Sequence, residues 1–454
     1  MDTVLHTRLP DAPVSVSILL KDPDSGFAAG EITVRFAPDS AASDAVLFWA
    51  DEHGILPGCT ALPHCKVGED TAVLRLSERT MIPRGAVRLL AYGSNEMGLS
   101  RAAAEAALPP HGGAWPDGTP ELEFYVVSDV HITDDPQHAH NRNFARMLHD
   151  VVRTSPNSAG VFVVGDTANK GELTQFDAAM ALYRSVPGVP PLFLSVGNHD
   201  LNGGTGEKLS GDTLEERAER FLRYAVLPDG THPASLHYDF RLGGYHFVFL
   251  GCDRLEGSHA WLSPQTLLWL DRTLSGDDGK PVFLFLHQSL YDTVAGSFPG
   301  QGWNGVLNDA ELRAVLARHP NVFFFNGHSH WTLDSDGCMH VPDGKLPTIF
   351  NTASVAYLWT SYNKDAGENL SGSQGYCVQI YPDRVLVLGR DFTTGEWIPG
   401  ALFSAEIPPA GNTPAGDDPM RTLRQRSAAA IGVAAAAAVG CALLRAFISQ
   451  KKKH

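Results

Sequence analysis

Cysteine is scarce in this chain. Six residues in 454 (Cys59, Cys65, Cys252, Cys338, Cys377 and Cys441) include no pair at CxxC spacing. That argues against a disulfide framework. Only Cys59 and Cys65 sit close enough in sequence to bridge a short loop, in an oxidising compartment. Basic charge is also in deficit, with 35 Lys and Arg against 51 Asp and Glu and a net charge of −16. A protein that grips nucleic acid through a basic surface needs clustered cations for the phosphates, and the charge balance argues against that class. The start, MDTVLHTRLPDAPVS, has no basic stretch followed by an apolar core, and no secretory signal peptide is expected. No internal repeat is evident. What the chain does have is an apolar fraction of 43% with 22 Phe and 8 Trp, enough for sizeable cores. Its length suggests about three units at roughly 150 residues each.

Residues 13–100 read as short strands: 14–20, 31–36, 45–50, 71–76 and 86–92 are apolar or alternating runs separated by Gly, Pro, Asp and Ser clusters. Such spacing predicts a small all-β sandwich over residues 1–105. The stretch AALPPHGGAWPDGTPE is Pro- and Gly-rich, and residues 106–121 read as a linker. From Leu122 the texture changes. Continuously apolar strands (FYVVSD, VFVVGD, PLFLSVGNHD) alternate with helical segments near 141–153 and 172–185. That pattern predicts βαβ units around a sheet buried on both faces. HYDFRLGGYHFVFLGCD reads as a hairpin about Gly243 and Gly244, and later strands flank Pro382 and Asp383.

The C-terminal region is a different kind of segment. PPAGNTPAGDDP opens a flexible tether over 408–426. SAAAIGVAAAAAVGCALL, residues 427–444, carries no charge and is flanked by basic residues, with a basic tail at 449–454. Residues 427–448 are therefore expected to form a transmembrane helix that holds the chain at a membrane with its body in the cytoplasm. Half of those eighteen residues are Ala, which leaves a soluble or interfacial helix as the alternative. Residues 420–454 hold seven cations and no acid, so the remainder carries −23.

In the middle segment, five apolar strands each deliver polar residues as they end. These are Asp129 and His131, Asp166, Asn198 with His199 and Asp200, His287, and His328 with His330. Strand carboxyl ends are where open α/β sheets bind ligands. Carboxylate, amide oxygen and imidazole suit Mn, Fe or Zn, and this many candidate ligands exceeds the four that one tetrahedral ion uses. The simplest accounting is two divalent metal ions sharing one carboxylate. The motifs SDVH, GDTANKG, GNHD, a lone His after a strand, and GHSH occur in this order. In this respect residues 122–407 resemble the calcineurin-like metallophosphoesterases, particularly their bacterial phosphodiesterase-like members. The N-terminal module weakly resembles fibronectin type III domains.

The resemblance implies a four-layer α/β fold, a β-sandwich flanked by helices. It implies that Asp129, His131 and His330 hold a first metal, that Asp166 bridges, and that Asn198, His287 and His328 complete a second. His199 would contact phosphate and protonate the leaving oxygen, with Asp200 orienting its ring. The implied reaction is hydrolysis of a phosphomonoester or phosphodiester by metal-bound hydroxide. Asn169 stands where many members carry Asp, and the metal-binding Tyr of purple acid phosphatases is absent. Trp303 and Asn304, in a Gly-rich loop, and Trp331, after His330, are candidates for substrate contact. His138, His140 and His149 read as surface or capping residues. The acidic body favours a small phosphoester over long nucleic acid. The alternatives are a non-catalytic, membrane-tethered binding protein on the same scaffold and a nuclease of the same fold.

Overall fold

The computed structural model describes residues 8–22, 25–111, 114–202, 213–276, 279–303, 305–360 and 368–408. The expected membrane helix at 427–448, the basic tail, Asn304 and nearly all of the tether lie outside the described residues. Among the described residues, no helix is long and apolar enough to cross a membrane.

The N-terminal module is all β. Its strands are β1 (Ser15–Leu20), β2 (Gly30–Arg35), β3 (Asp44–Ala50), β4 (Cys65–Lys66), β5 (Thr71–Leu76), β6 (Arg88–Asn95), β7 (Gly98–Leu99) and β8 (Ala104–Ala107). One sheet runs β1-β2-β5; the other runs β4-β3-β6-β7, with β8 also on β6. In β6 every second residue is buried, as a strand with one wet face requires. Ile32 and Val34 from one sheet meet Leu47, Trp49, Leu89 and Ala91 from the other in one apolar core. Cys59 and Cys65 are both free thiols. The segment read as a linker begins inside β8, and its Trp115 donates its indole N–H to Ile82 O at 2.9 Å. An aromatic anchor thus replaces the loose connection that the Pro/Gly composition suggests. The module also bonds to the last strand among the described residues, β24 below, through Thr60 N to Trp397 O (2.9 Å), Trp397 N to Gly58 O (2.8 Å) and Met81 N to Leu402 O (2.6 Å).

Next come β9 (Leu122–Val127), α1 (Ala139–Thr154), β10 (Val161–Val164), α2 (Leu173–Ser185) and β11 (Leu192–Ser195). The three strands are parallel neighbours, and all four residues of β10 and of β11 are buried. Short helices α3 (Asn198–Asn202) and α4 (Leu214–Leu222) follow; Thr213 and Glu216 close a capping box on α4. A second sheet then forms. β12 (Tyr238–Leu242) and β13 (Tyr245–Phe249) join through Gly243 and Gly244, both at positive φ, which a two-residue hairpin turn of this kind demands. A side hairpin, β14 (Arg254–Glu256) with β15 (His259–Trp261), leads to α5 (Pro264–Leu274) and β16 (Val282–Phe285). Then follow α6 (Asp309–Leu316), β17 (Val322–Asn326), β18 (Met339–His340) and β19 (Thr348–Asn351). Finally β20 (Leu358–Thr360) pairs with β21 (Glu368–Leu370), and β22 (Gln374–Ile380), β23 (Arg384–Asp391) and β24 (Glu396–Glu406) return to the first sheet.

The sheets run β11-β10-β9-β22-β23-β24 and β12-β13-β16-β17-β19-β18. Phe124, Phe162 and Phe193 from the first meet Phe247, Phe285, Phe325 and Phe350 from the second in a phenylalanine-rich core. One outer cluster covers the first sheet with residues of α1 and α2; another covers the second with α5 and α6. This mixed arrangement, sheet against sheet with helices outside, explains why the strands are continuously apolar. Strands β10, β11, β13, β16 and β17 have two dry faces, whereas the edge strand β12 exposes Asp239 and Arg241.

Phe162 lies at the middle of that core, with ring centroids 4.6–5.2 Å from those of Phe124, Phe193, Phe247 and Phe285. Replacing it by Ala should lower unfolding free energy by about 3–5 kcal/mol, the usual range for a buried Phe. Phe162→Leu should lose clearly less. Urea unfolding of the two variants checks this.

Candidate metal centre

The motif residues sit just past strand ends, in tight loops with unusual backbone. Asp129, His131, Asp166, His328 and His330 all have φ between 49° and 70°, the left-handed region that L-residues seldom occupy. Such strain persists only where surrounding contacts fix it, and those contacts are present. The loops after β9 and β10 run together: Asp129 N bonds Gly165 O at 3.1 Å, His131 N bonds Asp166 O at 2.9 Å, and Ile132 N bonds Thr167 O at 2.9 Å. The loop after β19 is stitched onto Asp129, whose carbonyl accepts from Ala356 N (3.1 Å) and Ser354 Oγ (3.0 Å).

The glycines of the motifs have a steric reason. A Cβ on Gly197 would stand 2.1 Å from Asp166 Oδ1. One on Gly327 would stand 1.9 Å from Ser128 Oγ and 2.6 Å from Asp129 Oδ2. Neither gap admits a carbon atom.

Three groups of donor atoms converge, each within 4.8 Å: Asp129, His131 and His330; Asp166, His287 and His328; and His131, Asp166 and His199. His330 Nε2 lies 2.9 Å from Asp129 Oδ1, and His287 Nε2 lies 3.0 Å from Asp166 Oδ2. The Nε2 atoms of His131 and His330 are 3.2 Å apart. Asp129 Oδ1, His287 Nε2 and Asn198 Oδ1 are buried without a hydrogen-bond partner among the described residues. Orphaned buried polar atoms are costly. Clustered carboxylate, amide and imidazole donors of this kind fit divalent metal ions.

Two of the other ring nitrogens are braced by backbone. His287 Nδ1 meets Val164 O at 2.7 Å, and His330 Nδ1 meets Tyr357 O at 3.1 Å. Asp129 Oδ2 accepts from His328 N at 3.0 Å. Outer partners of this type fix ring orientation and aim the free nitrogen at a metal.

Burial opposes ionisation of Asp129 and Asp166, yet the imidazoles around them hold both carboxylates below the usual range. Burial likewise disfavours charge on His287, but Asp166 and Asp129 push it up to about 10. Metal ligation needs neutral imidazole, so a metal held by His287 would displace a proton. Burial, helped by the charge on His287, pulls His328 down to about 3.

Some expected contacts differ. Asp200 does not orient the His199 ring. Its carboxylate accepts from Ala168 N (2.8 Å) and Gly197 N (2.9 Å), while His199 Nδ1 meets Asn169 O at 2.8 Å. Burial and the neighbouring Asp166 push Asp200 up to about 7. Trp331 is fully buried in the inter-sheet core, so it packs and does not line a pocket. Trp303 is half-buried with its ring edge-on to His328 at 5.6 Å. His138 caps α1 through Nδ1. His140, read as a surface or capping residue, instead meets His131 O through Nδ1 at 3.1 Å and stacks on Tyr357. Tyr357 and Trp359, which no motif marks, lie against the same cluster.

With this geometry in view, comparison with known proteins is informative. Residues 122–332 match the family model of calcineurin-like phosphoesterases. Residues 122–332 thus carry a calcineurin-like phosphoesterase domain. A domain of this kind indicates a phosphoric ester hydrolase. No curated protein matches the sequence. Among solved structures, a purple acid phosphatase from yellow lupin (Lupinus luteus) seeds is similar at 12% identity and a TM-score of 0.46, covering 87% of this chain and 74% of its own. GAP50, the anchor in the inner membrane complex of Plasmodium, is similar at 14% identity and 0.41, over 68% and 94%. The calcineurin-like phosphoesterase YfkN of Bacillus subtilis is similar at 11% and 0.30, over 67% and 96%. Scores this low carry no argument about activity.

Gly197→Ala and Gly327→Ala should each bind metal at least about tenfold more weakly than wild type, as loss of outer-shell order does. Titration with Mn²⁺ or Zn²⁺ followed by calorimetry checks this, with Gly230→Ala, whose Cβ would meet no atom within 4 Å, as the control.

Proposed function

We propose that the chain is a dinuclear metal-dependent phosphoesterase acting on a small phosphomonoester or phosphodiester. The observation that supports this reading is the convergence of buried carboxylate and imidazole groups, with Asp129 Oδ1, His287 Nε2 and Asn198 Oδ1 lacking a hydrogen-bond partner among the described residues. Asp129, His131 and His330 would hold one ion, and Asn198, His287 and His328 a second, with Asp166 shared. When bound, two divalent ions supply an activated water at neutral pH and neutralise the charge on the reacting phosphate oxygens.

The protein's own part is positioning and proton transfer. His199 N donates to Asp166 Oδ1 at 2.7 Å, and the ring's Nδ1 is turned to Asn169 O. The other nitrogen, Nε2, is thereby the one directed away from the backbone, available to protonate a leaving oxygen. Asp200 keeps the loops after β10 and β11 in register by accepting one amide from each. Trp303 belongs to the substrate side of the proposal, with Asn304 beside it in sequence. Mn, Fe and Zn are all compatible with the donor set. The −23 body opposes long nucleic acid as a substrate. A tether to a membrane through residues 427–448 belongs to the proposal on sequence alone.

Asp166→Asn should cut turnover of model phosphoesters by more than about 100-fold, since even outer-shell losses cost 10–100-fold. His199→Ala should cost about 10²–10⁴ on alkyl esters but much less on p-nitrophenyl esters, whose leaving group needs no proton. Steady-state kinetics with both ester types, alongside metal analysis, checks both. An Asp166→Asn variant as active as wild type would defeat the proposal. Deleting residues 420–454 should move the protein from membrane to soluble fraction with activity kept. Full-length protein already soluble without detergent would remove the tether from the proposal.

A further inference from the structure

One side of the metal cluster is walled by aromatic rings. Tyr357 and Trp359 are two residues apart in an extended segment, so they share a face, while Leu358 between them is buried in the inter-sheet core. This segment lies directly on the chain following the GHSH motif: Trp359 N bonds His330 O and Thr332 N bonds Trp359 O, both at 2.8 Å. Tyr357 packs 4.3 Å from His330 and 5.9 Å from His131, and stacks on His140 at 5.5 Å. Trp359 faces Trp303 at 6.0 Å, and Trp303 meets His328 edge-on at 5.6 Å. The rings therefore form an arc from His140 to Trp303 that touches donors of both groups, and Tyr357, Trp359 and Trp303 are all half-buried. Trp303 is held there by its backbone, N to Gly296 O at 3.0 Å and O from Ser289 Oγ at 3.0 Å.

Partly exposed aromatic planes recognise flat rings by stacking, whatever their hydrogen-bonding edge.

We propose that this arc is a subsite for a flat aromatic group carried on the ester oxygen of the substrate, the base of a nucleoside or the ring of an aryl ester. The inference rests on the phosphoesterase reading for its reaction but not for its binding. Trp303 and Trp359 supply the stacking faces. Tyr357 closes the arc on the side of His131 and His330.

The test uses full-length, metal-loaded protein. Adenosine phosphate and glycerol phosphate lose alkoxides of similar basicity, so their kcat/KM ratio reports the subsite and not the leaving group. Wild type should prefer the adenosine ester by about tenfold or more, the scale of one stacking contact. In Trp303→Leu and Trp359→Leu the ratio should fall toward one. Equal rates in wild type, or a preference kept in both variants, overturns the proposal. Binding gives a second readout that needs neither turnover nor a variant. Adenosine and phenol are titrated separately while tryptophan fluorescence is followed. Saturable quenching by adenosine alone assigns the subsite to a nucleobase, by phenol alone to an aryl ester, and by neither overturns it. If no phosphoester is hydrolysed but quenching saturates, the reaction proposed above fails and the subsite stands.

Discussion

Asp129 is the point at which four loops are tied. Its amide bonds the loop after β10, its carbonyl holds the loop after β19, one carboxylate oxygen takes the amide of His328, and the other faces His330 without a hydrogen bond. Left-handed backbone at Asp129, His131, Asp166, His328 and His330 costs roughly 1–3 kcal/mol per residue. Only contacts from both sheets at once can hold five such residues. The inter-sheet core is therefore not separate from the site. It fixes the spacing between the strand ends, and the strand ends fix the donors.

Much of this was legible in the sequence because it depends on local pattern. Strands with two dry faces are written as apolar runs, and the motif residues fall where those runs stop. The strand read at 71–76 matches β5, and the turn at Gly243-Gly244 follows from the glycines alone. What was not legible depends on direction or on distant pairing. The family resemblance implied that Asp200 orients the His199 ring, but neighbouring residues of a short helix point about 100° apart. Asp200 turns to two backbone amides instead, and the carbonyl of Asn169 takes its place at the ring. Trp331 follows His330 directly and so faces the opposite way, into the core. Tyr357 and Trp359 come to the cluster only because β20 lies on the segment after GHSH, a pairing no motif announces.

The Pro- and Gly-rich segment before Leu122 shows the same limit. Composition marked it as a loose connection, yet Trp115 pins it through an indole hydrogen bond to Ile82, with Arg84 5.2 Å from the ring. A single aromatic in a turn-rich stretch outweighs the average character of its neighbours.

The bonds between the N-terminal module and Trp397 and Leu402 bear on solubility. β24 is the last strand of its sheet, eleven residues long, with most of its side chains buried. Uncovered, it would offer a row of unpaired amides and carbonyls to any passing strand. Gly58, Thr60 and Met81 occupy part of that row. The module acts as a guard against edge-to-edge association, and the following domain cut free of it would begin life with a sticky border.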